Sequence, residues 1–346
     1  MTLHDTSRGD TVLINLRLLL IFCVFIGNAL EPLLADMPLA QEVYTWIFMF
    51  HIPLFVFVTG YFSKSNLIGS GGRKVLVQIG LQYLIFQTLY SSLDALFFHV
   101  PGIHHSIFAP YLLLWFLASH ICWRLLMMIL IRLSVTSQLA TAFGLGIMIG
   151  YLPVDGIWLS LSRTFVFLPF FVIGYHFSYE KLVAWWNRKA RLTAIVLSCL
   201  LLSVSGFIAQ VLPAGWLYGS MTYIQMGHTE WYAGLFRVGI YLMQIAASVV
   251  FLGFVPLAAG FWTDMGRRTL YVFLLHGFVI RVAVISGLYS YITLPYEALL
   301  LIIMACGATA LLTLPAVRTL SHAVVEPRTD WLLRYMKPSL RQPRKA

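Results

Sequence analysis

The stretch INLRLLLIFCVFIGNALEP (residues 14–32) is greasy enough to cross a bilayer, yet it carries an arginine at 17 and an asparagine at 28. A hydrocarbon core about 30 Å thick is crossed by roughly 20 apolar residues in a helix. A charge at the bilayer centre costs at least about 2.5 kcal/mol, so Arg17 requires a reason to be there. The helical rise of about 1.5 Å per residue sets Asn28 roughly 16 Å above Arg17. Eleven steps of about 100° make nearly three whole turns, which puts both residues on one helix face.

This run is the first of ten. The others cover 43–62, 75–98, 108–131, 134–152, 157–177, 192–211, 234–260, 269–289 and 296–318, the first itself covering 13–33. The 346 residues are 60% hydrophobic and 10% charged, where a soluble globule has about a quarter of its residues charged. Mean hydropathy is +0.84. Too few charges exist to coat a surface facing water, so the main solvent is lipid. An open sheet edge in lipid would leave backbone groups unpaired, which selects helices. The sequence therefore predicts an all-α polytopic membrane protein of about ten transmembrane helices. Its parts are an N-terminus (1–12), a transmembrane domain (13–318) and a basic tail (319–346).

The first run has no small-residue cleavage site and many spans follow it, so it reads as a retained helix and not a signal peptide. Cys23, Cys122, Cys199 and Cys306 sit inside apolar runs with no CxxC, which reads as buried free thiols and no metal site. Gly146 and Gly150 form a small-xxx-small pair suited to close helix packing.

Charge sets the orientation. One set of alternate connections holds Lys64, Arg73 and Lys74; Arg132; Lys181, Arg188, Lys189 and Arg191; then Arg267 and Arg268. The tail adds Arg328, Arg334, Lys337, Arg341, Arg344 and Lys345. The opposite set holds Glu31, Asp36, Glu42, Asp155 and Glu230 with no lysine or arginine. By the positive-inside rule both termini are cytoplasmic, and the net charge of +10 belongs to those loops. The lipid bilayer is the expected partner, and nucleic acid is not.

Within the spans lie Arg17, Arg124, Arg163, Arg237 and Arg281, with His51, His120 and His276. Snorkelling to an interface accounts for Arg17, Arg124 and Arg237. His51 falls roughly 12 Å below the outer boundary and Asn28 about 8 Å, so the two share a level to within one turn. Pro53 frees a carbonyl beside His51 and bends the helix around a cavity. Arg163 and Arg281 fall in the same outer half. The set predicts a polar chamber with Arg17 at its inner mouth; the rival account is a series of ordinary interhelical hydrogen bonds.

FHIPLFVFVTGYFSK (50–64) resembles the second-helix signature of the integral-membrane acyltransferase family 3, above all its fucose 4-O-acetylase-like branch. YLLLWFLASHICWRLL (111–126) is similar to the family's Trp-Phe-Leu helix, SRTFVFLPFFVIGY (162–175) to its Phe-rich sixth helix, and RRTLYVFLLHGFVI (267–280) to its late Tyr-and-His helix. The four occur in the family's order along the whole span region. The resemblance implies transfer of an acyl group, commonly acetyl, from cytosolic acyl-CoA to a carbohydrate hydroxyl. Acyl-CoA (acetyl-CoA) is then a co-substrate, with no permanently bound cofactor.

Such chemistry needs cations for the CoA phosphates, a base for the hydroxyl proton and donors for the oxyanion. The family pattern has a basic residue in the first helix, ten residues, then a histidine. Counting from Arg17, that histidine's place is taken by Asn28. An amide does not accept a proton at neutral pH but does donate hydrogen bonds. The base is then expected to be His51, with His276 the second choice. Arg17, Arg73 and Lys74 are expected at the CoA entrance, with Arg163 and Arg281 on the substrate side. Two other classes stay open: a transporter or flippase of an anionic solute, and a catalytically silent relative that binds a glycan or a partner protein.

Overall fold

The computed structural model describes residues 8–154, 156–180 and 186–335. Asp155, Lys181, Lys337, Arg341, Arg344 and Lys345 lie outside the described residues, as does the side chain of Arg334. The ten longest helices are α1 (Arg8–Leu30), α2 (Pro38–Ser63), α3 (Gly69–Leu93), α4 (Trp115–Leu130), α5 (Val135–Met148), α6 (Leu161–His176), α7 (Arg188–Val211), α8 (Ala233–Phe251), α9 (Thr269–Ile285) and α10 (Pro295–Leu312). An eleventh, α11 (Pro315–Val325), follows α10. The described residues form no β-strand.

Each of the ten expected runs contains a helix, although 108–111 and 255–260 are not helical and 296–318 breaks at 313–314 between α10 and α11. Seven of the described helices are long and apolar enough to cross a membrane: α1, α2, α4, α6, α7, α8 and α10 with their short flanking turns. The apolar helices Val135–Tyr151 and Thr269–Ile285 are shorter. The remaining expected run, 75–98, lies on α3, whose Gln78, Gln82 and Gln87 dilute its apolar character. The first helix starts at Arg8 rather than at 13.

Packing is organised around α2. Of its most apolar window 78% is buried inside the protein, against 17% for α7. Helix α2 touches α1, α7 and α8, and its broadest contact is with α6. Two glycines make that contact possible. A Cβ on Gly60 would strike the carbonyl of Phe171, and one on Gly174 would strike the carbonyl of Phe57. Each helix thus receives the other's backbone where it has no side chain. Gly146 and Gly150 act as expected: a Cβ at 146 would meet Tyr241 and the Phe165 carbonyl, and one at 150 would meet the Tyr223 ring.

Three apolar clusters surround the interior. Leu54, Phe167 and Phe171 belong to the largest; Leu18, Ile21 and Leu301 join α1 to α10; Phe86, Leu117 and Leu274 join α3, α4 and α9. The last cluster also takes in fully buried Val325 of α11, whose carbonyl accepts a 2.8 Å bond from Gln82 Nε2. Tyr271 Oη donates to Glu326 Oε1 at 2.8 Å. The start of the expected basic tail is therefore packed against α3 and α9.

Buried arginines do not snorkel here. Arg237 is 1% exposed, donates to the Trp216 carbonyl at 2.7 Å and lies 5.0 Å over the Trp216 ring. Arg124, also 1% exposed, donates to Ser63 Oγ at 3.0 Å and to the carbonyl and side chain of Asn66. It ties down the chain that leaves α2. The expectation of a head group in water fails for both, because protein carbonyls supply the acceptors first.

Candidate functional site

A cavity of about 640 Å³ runs between α1, α2, α3, α4 and α9, with Arg163 of α6 also in its wall. It has two ends. Arg17, Ser63, Asn66 and Arg124 line one; Glu31, Arg163, Arg281 and Tyr218 line the other. His51, His276 and His120 line it as well, and so does Asn28. The expected chamber is present, and it gathers six of the eight residues singled out for chemistry.

The local folding of α2 explains His51. Its Nδ1 lies 2.9 Å from the carbonyl of Ile47, one turn back. A carbonyl only accepts, so Nδ1 carries the hydrogen and Nε2 keeps its lone pair. His51 is 4% exposed and packs edge-on against Phe48 at 4.4 Å between centroids. Pro53 follows within the same helix. His276 repeats the arrangement on α9: Nδ1 lies 2.8 Å from the Phe273 carbonyl and 3.0 Å from that of Val272. Its Nε2 is buried without a hydrogen-bond partner, and His120 Nε2 is in the same condition. Both imidazoles on α2 and α9 thus have a basic nitrogen left over.

Asn28 Nδ2 donates to the Val24 carbonyl at 2.8 Å. That bond fixes which amide atom is which and leaves Oδ1 and the second N–H unspent. One residue before it, Gly27 lies against Ile47 and Phe48, about one turn of α2 from His51, and Asn28 and His51 both line the cavity. Arg17 Nη2 donates to Thr269 Oγ1 at 2.9 Å, and its guanidinium lies 5.7 Å from the Phe62 ring centre.

Arg73 and Lys74 are not in the wall. Both are exposed, and Lys74 Nζ lies 4.0 Å from Asp330 Oδ1. The helix turns them away, while Val75, Gln78 and Gln82 further along α3 face inward. Their assignment to an entrance rested on loop charge alone, which says which side of a membrane a loop is on and not where its side chains point.

Other wall groups carried too little sequence signal. Tyr44 and Tyr218 come together with their hydroxyls 2.8 Å apart, joining α2 to a short turn 174 residues later. Burial pushes the Tyr218 phenol above its ordinary value. Glu31 reads in the sequence only as one acidic residue of an outer connection, yet here it sits at the cavity mouth. The mouth is also where backbone strain collects. Leu112, Leu159 and Ser160 have φ of 33°, 52° and 49°, a region costly for side chains with a Cβ. Leu159 N donates to the Phe108 carbonyl at 2.7 Å, and this pinned turn launches α6 and hence Arg163.

No protein-family model matches the chain, and neither a curated protein nor a solved structure matches it.

Proposed function

We propose that this protein is a membrane-embedded O-acyltransferase of the acyltransferase family 3 kind. It moves an acyl group, acetyl foremost, from cytosolic acyl-CoA to a hydroxyl of a surface or lipid-linked carbohydrate. The observation that carries this reading is the shared cavity, in which imidazoles with a free Nε2 lie between arginines at both ends. In this reading the chain crosses the cell membrane ten times with both termini in the cytoplasm. The Arg17 end then faces the CoA side.

The chemistry follows from those groups. The acceptor hydroxyl gives its proton to His51 Nε2 as its oxygen attacks the thioester carbonyl. The C–O ester bond forms, the C–S bond breaks, and the proton passes from His51 to the departing CoA thiolate. The unspent N–H of Asn28 is suited to hydrogen-bond the transient oxyanion, while Arg17 attracts the CoA phosphates.

Membranes containing the protein should transfer labelled acetyl from acetyl-CoA to a carbohydrate acceptor, and His51→Ala should lower the rate by at least about 100-fold. Wild-type rates in that variant would remove His51 from the mechanism. An anion transporter is the second reading, motivated by arginines at both ends of one cavity. Solute flux into liposomes without acetyl-CoA would decide for it.

A further inference from the structure

The Glu31 end of the cavity brings two guanidinium groups together. Arg163 reaches it from α6, Arg281 from α9 and Glu31 from the turn after α1. Glu31 interacts electrostatically with both arginines, and Arg163 also with the phenols of Tyr44 and Tyr218. None of the three charges is in a contact ion pair among the described residues. Arg163 lies 5.0 Å over the Trp115 ring, a face that leaves its five N–H donors without an acceptor. Arg281 meets the Tyr111 hydroxyl.

Arginine does not shed its proton. Two carboxylates stand near the two guanidinium groups, Glu31 and, through the Tyr111 hydroxyl that donates to it at 2.9 Å, Asp94, but neither gives Arg163 a contact acceptor. A ligand oxyanion supplies that acceptor as a charge-assisted hydrogen bond, and a neutral ligand supplies a weaker one. A surface for a sugar ring stands beside the mouth: Trp158 is 53% exposed and stacks on the cavity-lining His104 at 6.2 Å. Apolar ring faces of this kind suit the C–H face of a pyranose.

We propose that the Glu31 end is a subsite for an oxyanion on the acceptor saccharide, a ring carboxylate or a phosphate ester, held between Arg163 and Arg281. The proposal rests on reading this cavity as the acceptor chamber.

The test is equilibrium binding to the full chain in phosphatidylcholine nanodiscs without acyl-CoA. Four tritiated probes serve: methyl glucuronoside, the methyl diester of glucose 1-phosphate, glucose 1-phosphate itself, and methyl glucoside. At least one of the three anions should bind about tenfold more tightly than the neutral glucoside, and which one binds identifies the source of the oxyanion. Arg163→Gln and Arg281→Gln should each reduce that preference about tenfold. Equal binding of all four probes by the native chain, or no binding of any, overturns the subsite without recourse to variants. Preference for an anion with no acetyl transfer would remove the acyltransferase reading and leave the subsite. Acetylation of methyl glucoside as fast as of the anionic probes would do the reverse.

Discussion

Two groups of interior arginines face different tasks. Arg124 and Arg237 turn terminal donors to the protein itself, to Ser63, Asn66 and the Trp216 carbonyl, while the Nε of each stays buried without a partner. Arg191 does the same for the carbonyls of Gly253 and Val255. Arg163 and Arg281 border the cavity and bind no backbone carbonyl among the described residues, and Arg17 holds one hydroxyl. The first group closes gaps where helices end. The second keeps its charge unspent beside an empty volume. A buried cation is thus a structural group when acceptors surround it, and a ligand group when they do not.

The largest effect expected from this contrast is on stability. Arg237→Met removes the bond to the Trp216 carbonyl and leaves that oxygen unpaired, a loss of about 2 kcal/mol. Thermal unfolding in detergent should show the drop. Equal loss from Arg163→Met would erase the distinction. Next is Arg17→Met, which removes the cation nearest Thr269 and Phe62. The KM for acetyl-CoA should rise about tenfold, or ~1.4 kcal/mol, with kcat changed far less. A fall in kcat alone would move Arg17 from donor binding to the chemical step.

Arg163→Met is expected to leave stability within about 0.5 kcal/mol of the native value or to raise it, because it removes a desolvated charge and no hydrogen bond. Substituting Arg73 and Lys74 together by alanine should produce the smallest change, less than about twofold in the KM for acetyl-CoA. A tenfold rise would return both residues to the entrance despite their outward direction.

Much of this was legible in the amino-acid order because bilayer thickness and helical rise are fixed quantities. They predicted a helix within each of the ten runs. The period of the helix likewise put Arg17 and Asn28 on one face, and both line the cavity. Local patterns did not reveal partners far apart in the chain. Gly60 and Gly174 are unremarkable glycines until α2 and α6 meet. Tyr44 and Tyr218 share no motif, and Glu31 comes near Arg163 and Arg281, more than a hundred residues away, only in the fold. Arg73 and Lys74 failed for the opposite reason: loop charge was plentiful and carried no direction.

The glycine contact between α2 and α6 has a mechanical result. Because the two backbones touch there, that wall of the chamber is a fixed spine. The opposite jaw, α3 with α9, is bound by its own apolar cluster around Phe86 and Leu274. Helix α4 belongs to both bodies, its Leu117 to the jaw and its Trp123 to the spine. Trp123 Nε1 and Ser119 Oγ are both anchored to Thr164 of α6, each at 2.7 Å. Helix α9 is tied to α1 as well, through Val272 and Ile280 packed with Ile21 and Phe25, so His51 sits on a wall braced from both sides.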